Sequence, residues 1–396
     1  MRDLSFINAL PPAQRAALLN GPAMKAPTGV LSNFEHPPNG NDIGIAVVIF
    51  SGIFCSFIVS LRLYSRVLYH KEVVVEDGII LLALGALGAY LFCVCKIMIH
   101  PGIFVHLWDI RVRDLPRSLY YLNVGSIVYG NVIMLLKIAI LLEWKRIFVP
   151  LRLKNGFWWT CNITLVVNVL FYVACTIVEI FGCNPRRKSW EPTVPGTCLN
   201  IATVNIVAAS INFVSDLIIL FLPQKIIWNL QMTNGRKLAI GALFAMGVLA
   251  CIAAGFRLHS STRFATSTDV LYSATDMGLW CLAEMVCGFI VICFTALPKL
   301  VKHSTWMQKL ISTFKSSKSD STDRPNLSWR DRLSAPTRRR NPPSDGSLFR
   351  DTDTETDVAY SLPITNVSVR SEFSVKTEPF DPKKPMTGDP YLKGIR

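Results

Sequence analysis

The chain has 396 residues, of which 51% are hydrophobic and only 17% are charged, and its mean hydropathy is +0.37. Soluble domains are less apolar than this, so the composition excludes an ordinary soluble globular protein. The formal net charge of +14 does not indicate nucleic acid, because membrane proteins collect Lys and Arg in their cytoplasmic loops and no nucleic-acid-binding motif accompanies the charge. We therefore expect a membrane protein with lipid around it and no nucleic-acid partner.

Residues 1–42 precede the first apolar stretch. They lack the short basic and then apolar pattern of a cleaved signal peptide. We therefore expect the first membrane span to act as the insertion signal and residues 1–42 to remain as a short extracellular segment.

Seven apolar stretches follow, and each is long enough to cross a bilayer, which takes about 20 helical residues. They run over Ile43–Leu61, Gly78–Ile99, Leu119–Leu142, Phe157–Phe181, Leu199–Leu222, Leu238–Phe256 and Met277–Leu297. The sequence therefore predicts an all-α membrane protein in which residues 43–298 form a bundle of seven transmembrane helices.

The predicted orientation of the bundle depends on the basic residues beside the membrane. The three loops on one side carry ten Lys or Arg residues and the three on the other side carry eight, so the loops alone decide little. Five lysines follow the last span closely and place the C-terminus in the cytosol, namely Lys299, Lys302, Lys309, Lys315 and Lys318. With seven spans, the N-terminus is then predicted to lie outside.

Two segments follow the last span. Residues 299–315 have apolar groups at helical spacing, which is typical of an amphipathic helix on the inner leaflet, although an extension of the seventh helix would show the same pattern. Residues 316–396 are rich in Ser, Thr, Pro and charge, which predicts a disordered cytoplasmic tail. Such a tail either presents phosphorylation sites, docks a partner or is simply solvated.

Nine of the eleven cysteines lie inside apolar runs, where they behave as small buried hydrophobes. Cys183 and Cys198 instead lie in a polar loop that the predicted orientation places outside. A disulfide forms in such an oxidising compartment, so we predict that these two cysteines are linked and hold the loop over the mouth of the bundle.

Four charged residues fall within the predicted spans, where a charge is costly and is by default a functional candidate. Lys137 and Asp216 share a depth of ~9 Å from the inner boundary and are predicted to pair. Their pair either fixes helix packing or acts as a switch that breaks in a conformational change. Lys96 and Glu284 lie at similar depth near the outer boundary, where Lys96 either pairs with Glu284 or extends to the interface.

The outer loops hold aromatic and polar residues that suit ligand recognition, namely His106, Trp108, Asp109 and Trp190. The alternative for the two tryptophans is that they anchor the bundle at the membrane interface. The six histidines form no HxxxH pair, and neither GxSxG nor HExxH occurs. We therefore predict no catalysis, no bound metal and no cofactor.

Several short motifs in fixed order resemble the fungal rhodopsin-like integral membrane family, which includes Pth-type receptor-like proteins and membrane proteins of some mycotoxin gene clusters. The similarity spans roughly residues 22–300. The residues that carry it are Arg62 to Arg66, Glu76, Asp77, Gly102, His106, Trp108, Asp109, Lys137, Cys183, Pro185, Trp190, Cys198, Asn212, Asp216, Trp280, Glu284 and Gly288. The cysteine-rich CFEM module that precedes the first helix in some members is missing here.

The resemblance implies a receptor-like protein, with the plasma membrane as the expected location, but it does not imply light sensing. Retinal needs a Schiff-base lysine in the seventh helix, and Met277–Leu297 contains none. The third helix also lacks a D/E-R-Y triplet and the seventh lacks NPxxY.

Two functions are consistent with these features. The first is a receptor-like protein that senses an extracellular or surface cue and signals through its inner loops and tail to a heterotrimeric G protein or another cytosolic partner. The second is a transporter or membrane accessory protein of a secondary-metabolite pathway, with the intramembrane charges lining a path. The absence of internal repeats and of helix-breaking prolines in mid-membrane favours the first.

Overall fold

The computed structural model describes residues 4–70, 74–149, 156–224 and 234–295. Seven of its helices are long and apolar enough to cross a membrane, which confirms the predicted number. They are α1 (Asn41–Ser65), α2 (Val75–Ile99), α3 (Leu115–Phe148), α4 (Gly156–Phe181), α5 (Ile201–Phe221), α6 (Asn234–Thr266) and α7 (Val270–Phe294). The helix predicted over residues 299–315 and the tail predicted over residues 316–396 lie outside the described residues.

The outer surface of the helices is apolar, and polar side chains within the spans point inward, as expected of a bundle in a membrane. On α4, Val167 and Leu170 are 58% and 65% exposed, whereas Asn168 and Tyr172 are each only 5% exposed. Hydrocarbon solvates the outer side chains well but offers nothing to a polar group, so polar groups must find partners inside the bundle. The chain is therefore a multi-pass membrane protein whose polar groups within the spans face the interior of the bundle.

The apolar core lies among α1, α2, α3 and α7. Val59, Leu87, Leu136 and Phe289, one from each of these helices, are at most 1% exposed. The approach of α3 to α7 is close because α7 has Gly288 there, where an added Cβ would lie only 2.9 Å from Leu136 Cδ1. This contact fixes the spacing of the two helices that carry Lys137, Glu143 and Glu284.

Several helices extend beyond the predicted spans. The spans were bounded by apolar residues, but a helix continues through polar residues as long as its backbone hydrogen bonds are made. The sixth span was predicted to end at Phe256, but α6 continues to Thr266 and carries Arg257 into the bundle. Arg62, which was assigned to an inner loop, lies within α1 and is 2% exposed. Both assignments were wrong, since each arginine finds buried acidic partners that hydropathy does not reveal.

A short hairpin and the predicted disulfide mark one end of the bundle. Strand β1 (Cys183–Asn184) pairs antiparallel with β2 (Thr197–Cys198), with Cys183 opposite Cys198. The two cysteines are bonded, which confirms the prediction. We call this the disulfide end of the bundle and the opposite end, where α1 terminates, the Arg62 end.

The N-terminal segment packs over the disulfide end. Its helix, Pro12–Asn20, is followed by backbone hydrogen bonds from Ala23 N–H to Ile110 (2.9 Å) and from Val112 N–H to Gly21 (3.1 Å). Farther toward the N-terminus, the Asn8 side chain donates to the carbonyl of Thr193 at 2.7 Å. The segment therefore covers the loops that connect α2 to α3 and α4 to α5.

Candidate functional site

A layer of charged and polar side chains crosses the middle of the bundle, and we call it the central layer. It consists of Tyr129 and Lys137 from α3, Tyr172 from α4, Asn212 and Asp216 from α5, Arg257 from α6 and Glu284 from α7. All of them except Asp216 are at most 8% exposed, and the side chain of Asp216 is 16% exposed. Five of the seven spans thus contribute to one buried polar group of residues.

Lys137 makes the strongest ion pair of the layer. Its Nζ lies 2.8 Å from Asp216 Oδ1 and donates to Asn212 Oδ1 at 2.8 Å. The carbonyl of Asn212 accepts a third bond at 3.3 Å. An ammonium has three N–H groups, so every proton of Lys137 has an acceptor. The two residues that the sequence placed at one depth therefore lie in direct contact.

Asn212 connects the ion pair to the rest of the layer. Its Nδ2 donates to Glu284 Oε1 at 2.6 Å and more weakly to Asp216 Oδ2 at 3.4 Å. Its Oδ1 accepts from the hydroxyl of Tyr172 as well as from Lys137. One amide side chain therefore links α3, α4, α5 and α7. A neutral amide can do this because it has donors for the carboxylates and an acceptor for the ammonium and the hydroxyl.

Glu284 joins the layer to α6. The Tyr129 hydroxyl donates to Glu284 Oε2 at 2.9 Å, and Arg257 Nη1 lies 3.8 Å from the same oxygen. The Arg257 guanidinium also covers the Tyr129 ring, with Cζ 4.6 Å from the ring centroid. Two acids and two bases give the layer no formal net charge, so its charges balance within the bundle.

Arg257 is the least satisfied member of the layer. Within the described residues its Nε has no hydrogen-bond partner, although the residue is only 8% exposed. Its 3.8 Å contact with Glu284 is too long for a hydrogen bond. A buried donor without an acceptor costs about 1–3 kcal/mol, and more when it is charged.

Two cavities adjoin the central layer on opposite sides. The larger encloses about 1020 Å³, including the space at its mouth, and Tyr129, Tyr172, Asn212 and Arg257 line it. The smaller encloses about 810 Å³ and is lined by Lys137, Asp216 and Glu284. Ile97 and Ile103 in the larger cavity belong to the disulfide end, whereas Phe148 and Pro223 in the smaller one belong to the Arg62 end. The layer therefore separates two cavities that face opposite ends of the bundle.

A second buried ionic group, the Arg62 cluster, consists of Arg62, Arg66, Asp77 and Glu143. Arg62 Nε lies 3.1 Å from Asp77, and its Nη2 lies 2.7 Å from Glu143. Its Nη1 donates to the carbonyl of Ile292 at 2.6 Å. Arg66 Nη2 contacts both oxygens of Glu143 at 2.8 and 2.7 Å. These bonds tie α1, α2, α3 and α7 together near one membrane boundary.

Of the two alternatives for Lys96, the pair with Glu284 is not formed. Glu284 points into the central layer, where it contacts Tyr129, Asn212 and Arg257. Lys96 is near the last turn of α2, half-buried, with its Nζ 5.2 Å from the Phe92 ring centroid. The two residues lie at different depths, because α7 begins at Val270 and Glu284 is 14 residues or ~21 Å from that end, whereas Lys96 is three residues from the end of α2. Arg257 is the cation beside Glu284 from a neighbouring helix.

The four outer-loop candidates pack within the loops of the disulfide end. The His106 ring lies between those of Trp108 and Tyr272, at centroid distances of 4.0 and 4.6 Å, and its Nδ1 is 2.6 Å from Asp269. Asp109, 5% exposed, accepts the Asn33 N–H at 2.9 Å.

Trp190, the fourth candidate, packs edge-on against Tyr120 at a centroid distance of 5.6 Å. Arg186 lies over the same indole, at 5.9 Å from the ring centroid. The four residues His106, Trp108, Asp109 and Trp190 are absent from the lining of the larger cavity. Their role in recognition therefore stays a prediction, and their contacts are those of a folded cap.

Seven membrane helices around a charged layer, with a cavity on each side, define a multi-pass membrane protein of the class that contains receptors and transporters. The chain belongs to the family of the fungal rhodopsin domain, whose profile matches residues 61–303. The expected family is thereby confirmed. No solved structure matches the chain.

Three curated relatives illustrate the range of this family. The chain is 32% identical over 299 residues to "Fugralins biosynthesis cluster protein 2" of Gibberella zeae, which is 75% of this chain and 74% of that protein. It is 34% identical over 202 residues to a "SAT4 family membrane protein" of Emericella nidulans, 51% of each chain. It is 24% identical over 299 residues to "Receptor GIN3" of Arthrobotrys oligospora, 74% of this chain and 70% of that one.

Proposed function

We propose that the protein is a receptor of the plasma membrane, and that a small molecule entering from the disulfide end binds in the larger cavity. One observation carries the proposal. Tyr129, Tyr172 and Asn212 line that cavity and also bond to the charged residues of the central layer. A ligand in the cavity therefore contacts the same side chains that hold the layer together.

Such a ligand changes the hydrogen bonds of the central layer, because the side chains of the layer share their partners. Glu284 accepts from Tyr129 and Asn212 and also faces Arg257, so a ligand that engages Arg257 or Tyr129 alters the partners left to Glu284. A ligand shifts a conformational equilibrium only by its difference in affinity for the two states, typically 1–3 kcal/mol. Replacing one buried ionic contact by another supplies a difference of this size.

The signal has a direct route to the Arg62 end through α3 and α7. On α3, Lys137 and Glu143 are six residues apart, or ~9 Å. On α7, Glu284 and Ile292 are eight residues apart, or ~12 Å. Both helices belong to the central layer and to the Arg62 cluster. A shift of either helix at the central layer thus reaches the end where the inner loops and tail meet a heterotrimeric G protein or another cytosolic partner.

The relative named "Receptor GIN3" supports this role by similarity. The second candidate is a transporter or an accessory protein of a secondary-metabolite pathway. The presence of a cavity on each side of the layer favours it, since alternating access needs a site that opens to both faces. The relatives named as biosynthesis cluster proteins point the same way.

A reconstitution experiment separates the two roles. The full chain is placed in lipid vesicles, and two signals are measured: nucleotide exchange on added heterotrimeric G protein, and uptake of a dansylated fatty acid. Glu284→Gln keeps the shape of the side chain and removes its charge from the central layer. For a receptor we expect this variant to raise basal nucleotide exchange about five- to thirtyfold, equivalent to ~1–2 kcal/mol.

The matched control is Glu35→Gln, the same chemical change at an exposed site. It is expected to leave exchange at the wild-type rate. Uptake of the fatty acid by the wild type, with exchange unaltered in Glu284→Gln, would overturn the receptor role in favour of transport. Raised exchange without uptake would support the receptor.

A further inference from the structure

Arg257 lines the larger cavity and has one buried donor, Nε, for which the described residues offer no acceptor. The residue is only 8% exposed. The nearest carboxylate oxygen, Glu284 Oε2, lies 3.8 Å from Nη1. A guanidinium has five N–H donors in one plane and binds a carboxylate best through two parallel bonds. The cavity therefore contains a cation whose nearest carboxylate among the described residues lies beyond hydrogen-bond distance.

The ring of Tyr129 covers one face of the guanidinium, at 4.6 Å from Cζ to the ring centroid. The N–H groups of a guanidinium lie in its own plane and point outward from its edge. A guanidinium stacked on an aromatic ring therefore does not use them for that contact. The edge is thus available to a planar anion while the face is occupied. This geometry suits a carboxylate better than a bulky neutral group.

The remainder of the lining is mostly apolar and includes Val94, Ile97, Ile103 and Leu122. A pocket of this kind takes a largely apolar molecule and orients it through a few polar groups. Burial of an alkyl chain contributes about 0.8 kcal/mol for each CH₂ group removed from water. An acid with an apolar body would therefore use both features of the cavity.

Glu179 is the one other charged side chain that lines this cavity among the described residues. Its Oε1 accepts the hydroxyl of Ser126 at 2.7 Å. Glu179 follows Tyr172 by seven residues on α4, which places it ~10 Å nearer the disulfide end. A second anionic group on the ligand would approach this carboxylate and be repelled. The cavity thus discriminates against dicarboxylates and favours one acidic group.

We propose that the larger cavity binds an amphipathic monocarboxylic acid, with its carboxylate on the guanidinium of Arg257 and its apolar body extending toward the disulfide end. The inference rests on the proposed function, of which it names the ligand class. It also supplies the trigger. A bound carboxylate competes with Glu284 for Arg257, and Glu284 is then held by Tyr129 and Asn212 alone.

Direct binding to the full chain in lipid nanodiscs tests this inference. The probe is dansylaminoundecanoic acid, and empty nanodiscs give the signal from partition into lipid. Dodecanoic acid is expected to displace the probe at concentrations about tenfold lower than methyl dodecanoate, which has the same apolar body without the charge. Equal displacement by the acid and the ester would overturn the inference.

Variants locate the site. Arg257→Gln is expected to weaken binding of the acid probe about tenfold or more, and Arg257→Lys to weaken it less, because an ammonium keeps the charge without the paired donors. Arg263→Gln is the control, since Arg263 lies on the same helix and is exposed. Unchanged affinity in Arg257→Gln, or equal losses in Arg257→Gln and Arg263→Gln, would contradict the assignment.

A second variant avoids the charged layer altogether, because Arg257→Gln could disturb folding. Gly125 is buried and lines the cavity, and a Cβ added there would lie 3.8 Å from its nearest neighbour. The side chain of Gly125→Met is expected to extend into the cavity and to weaken binding of acid and ester alike. Full binding in this variant would show that the acid binds elsewhere and would overturn the inference.

The experiments can disprove the proposed ligand class and the proposed receptor role independently. Selective binding of the acid through Arg257, with nucleotide exchange unaltered in Glu284→Gln, upholds the carboxylate site and overturns the receptor. Raised exchange in Glu284→Gln, with acid and ester bound equally, upholds the receptor and overturns the carboxylate site.

Discussion

The bundle has two buried ionic layers with the same charge count and different construction. The Arg62 cluster and the central layer each hold two acids and two bases. In the cluster, Arg62 alone makes contacts of 2.6 to 3.1 Å to Asp77, Glu143, Thr295 and Ile292. In the central layer, Lys137 is equally well bound, but Arg257 approaches its carboxylate only to 3.8 Å.

Their surroundings differ as well. No residue of the Arg62 cluster lines either of the two cavities described above, whereas every member of the central layer lines at least one. Arg66 Nε has no hydrogen-bond partner in the described ranges, but Nη2 of the same guanidinium contacts both oxygens of Glu143. The comparison teaches that buried charge alone does not indicate a switch. A long ionic contact beside a cavity is a better indication of a switch, because the cavity gives room for a ligand or for a second arrangement of the side chains.

The largest expected effect is loss of Arg62, which tests whether the cluster is a rigid clamp. Arg62→Met leaves Asp77 and Glu143 with less compensation, and removing one partner of a buried ionic group costs about 3–5 kcal/mol. We expect low yield of folded protein and a lower unfolding midpoint in detergent titrations. Arg117→Met, at an exposed position, should change stability by less than ~0.5 kcal/mol. Wild-type stability in Arg62→Met would remove the distinction between the two layers.

Charge reversal is the second test. It measures whether an ion pair is isolated or whether its members also bind other charged residues. Lys137→Asp should destabilise the bundle by about 3 kcal/mol, and adding Asp216→Lys should recover at least half of that loss, since the two side chains are each other's principal ionic partner. The matched double variant Arg62→Glu with Glu143→Arg should recover little, because Arg62 also bonds to Asp77. Thermal unfolding of the singles and doubles measures both cycles. If the double variant at Lys137 and Asp216 recovered none of the lost stability, the ion pair would make no measurable contribution of its own.

The sequence alone predicts the spans, the disulfide and the depth shared by Lys137 and Asp216, because each depends on local composition or on helix rise. It does not predict the central layer. The partners Lys137 and Asn212 are 75 residues apart, and Tyr129 and Glu284 are 155 apart. Charges at helix ends look like loop residues in a hydropathy average, so Arg62 and Arg257 were assigned outside the membrane. The start of a helix also depends on packing: α7 begins at Val270 instead of Met277, so Glu284 lies deeper than its predicted depth and does not meet Lys96.

Removal of one hydroxyl from the central layer gives a smaller effect. Tyr172 donates to Asn212 Oδ1, and in Tyr172→Phe that oxygen keeps its bond from Lys137. No buried acceptor is left without a partner, so the cost should be that of one ordinary hydrogen bond, about 0.5–1.5 kcal/mol. Tyr64→Phe, at a position 58% exposed, is the control for thermal unfolding. A loss above about 3 kcal/mol would mean that the layer is as rigid as the Arg62 cluster.

The smallest expected effect concerns Glu179, which separates electrostatics from packing within the larger cavity. Glu179→Gln removes a negative charge while its amide oxygen can still accept the Ser126 hydroxyl. If an acid binds at Arg257, the Glu179 carboxylate in the same cavity repels it weakly, and the variant should bind dansylaminoundecanoic acid about threefold more tightly, or ~0.6 kcal/mol. Dodecylamine should show the opposite change, and Glu35→Gln should change neither. Weaker binding of the acid in Glu179→Gln would mean that Glu179 is itself a ligand contact, and would place the head group at the mouth of the cavity instead of at the central layer.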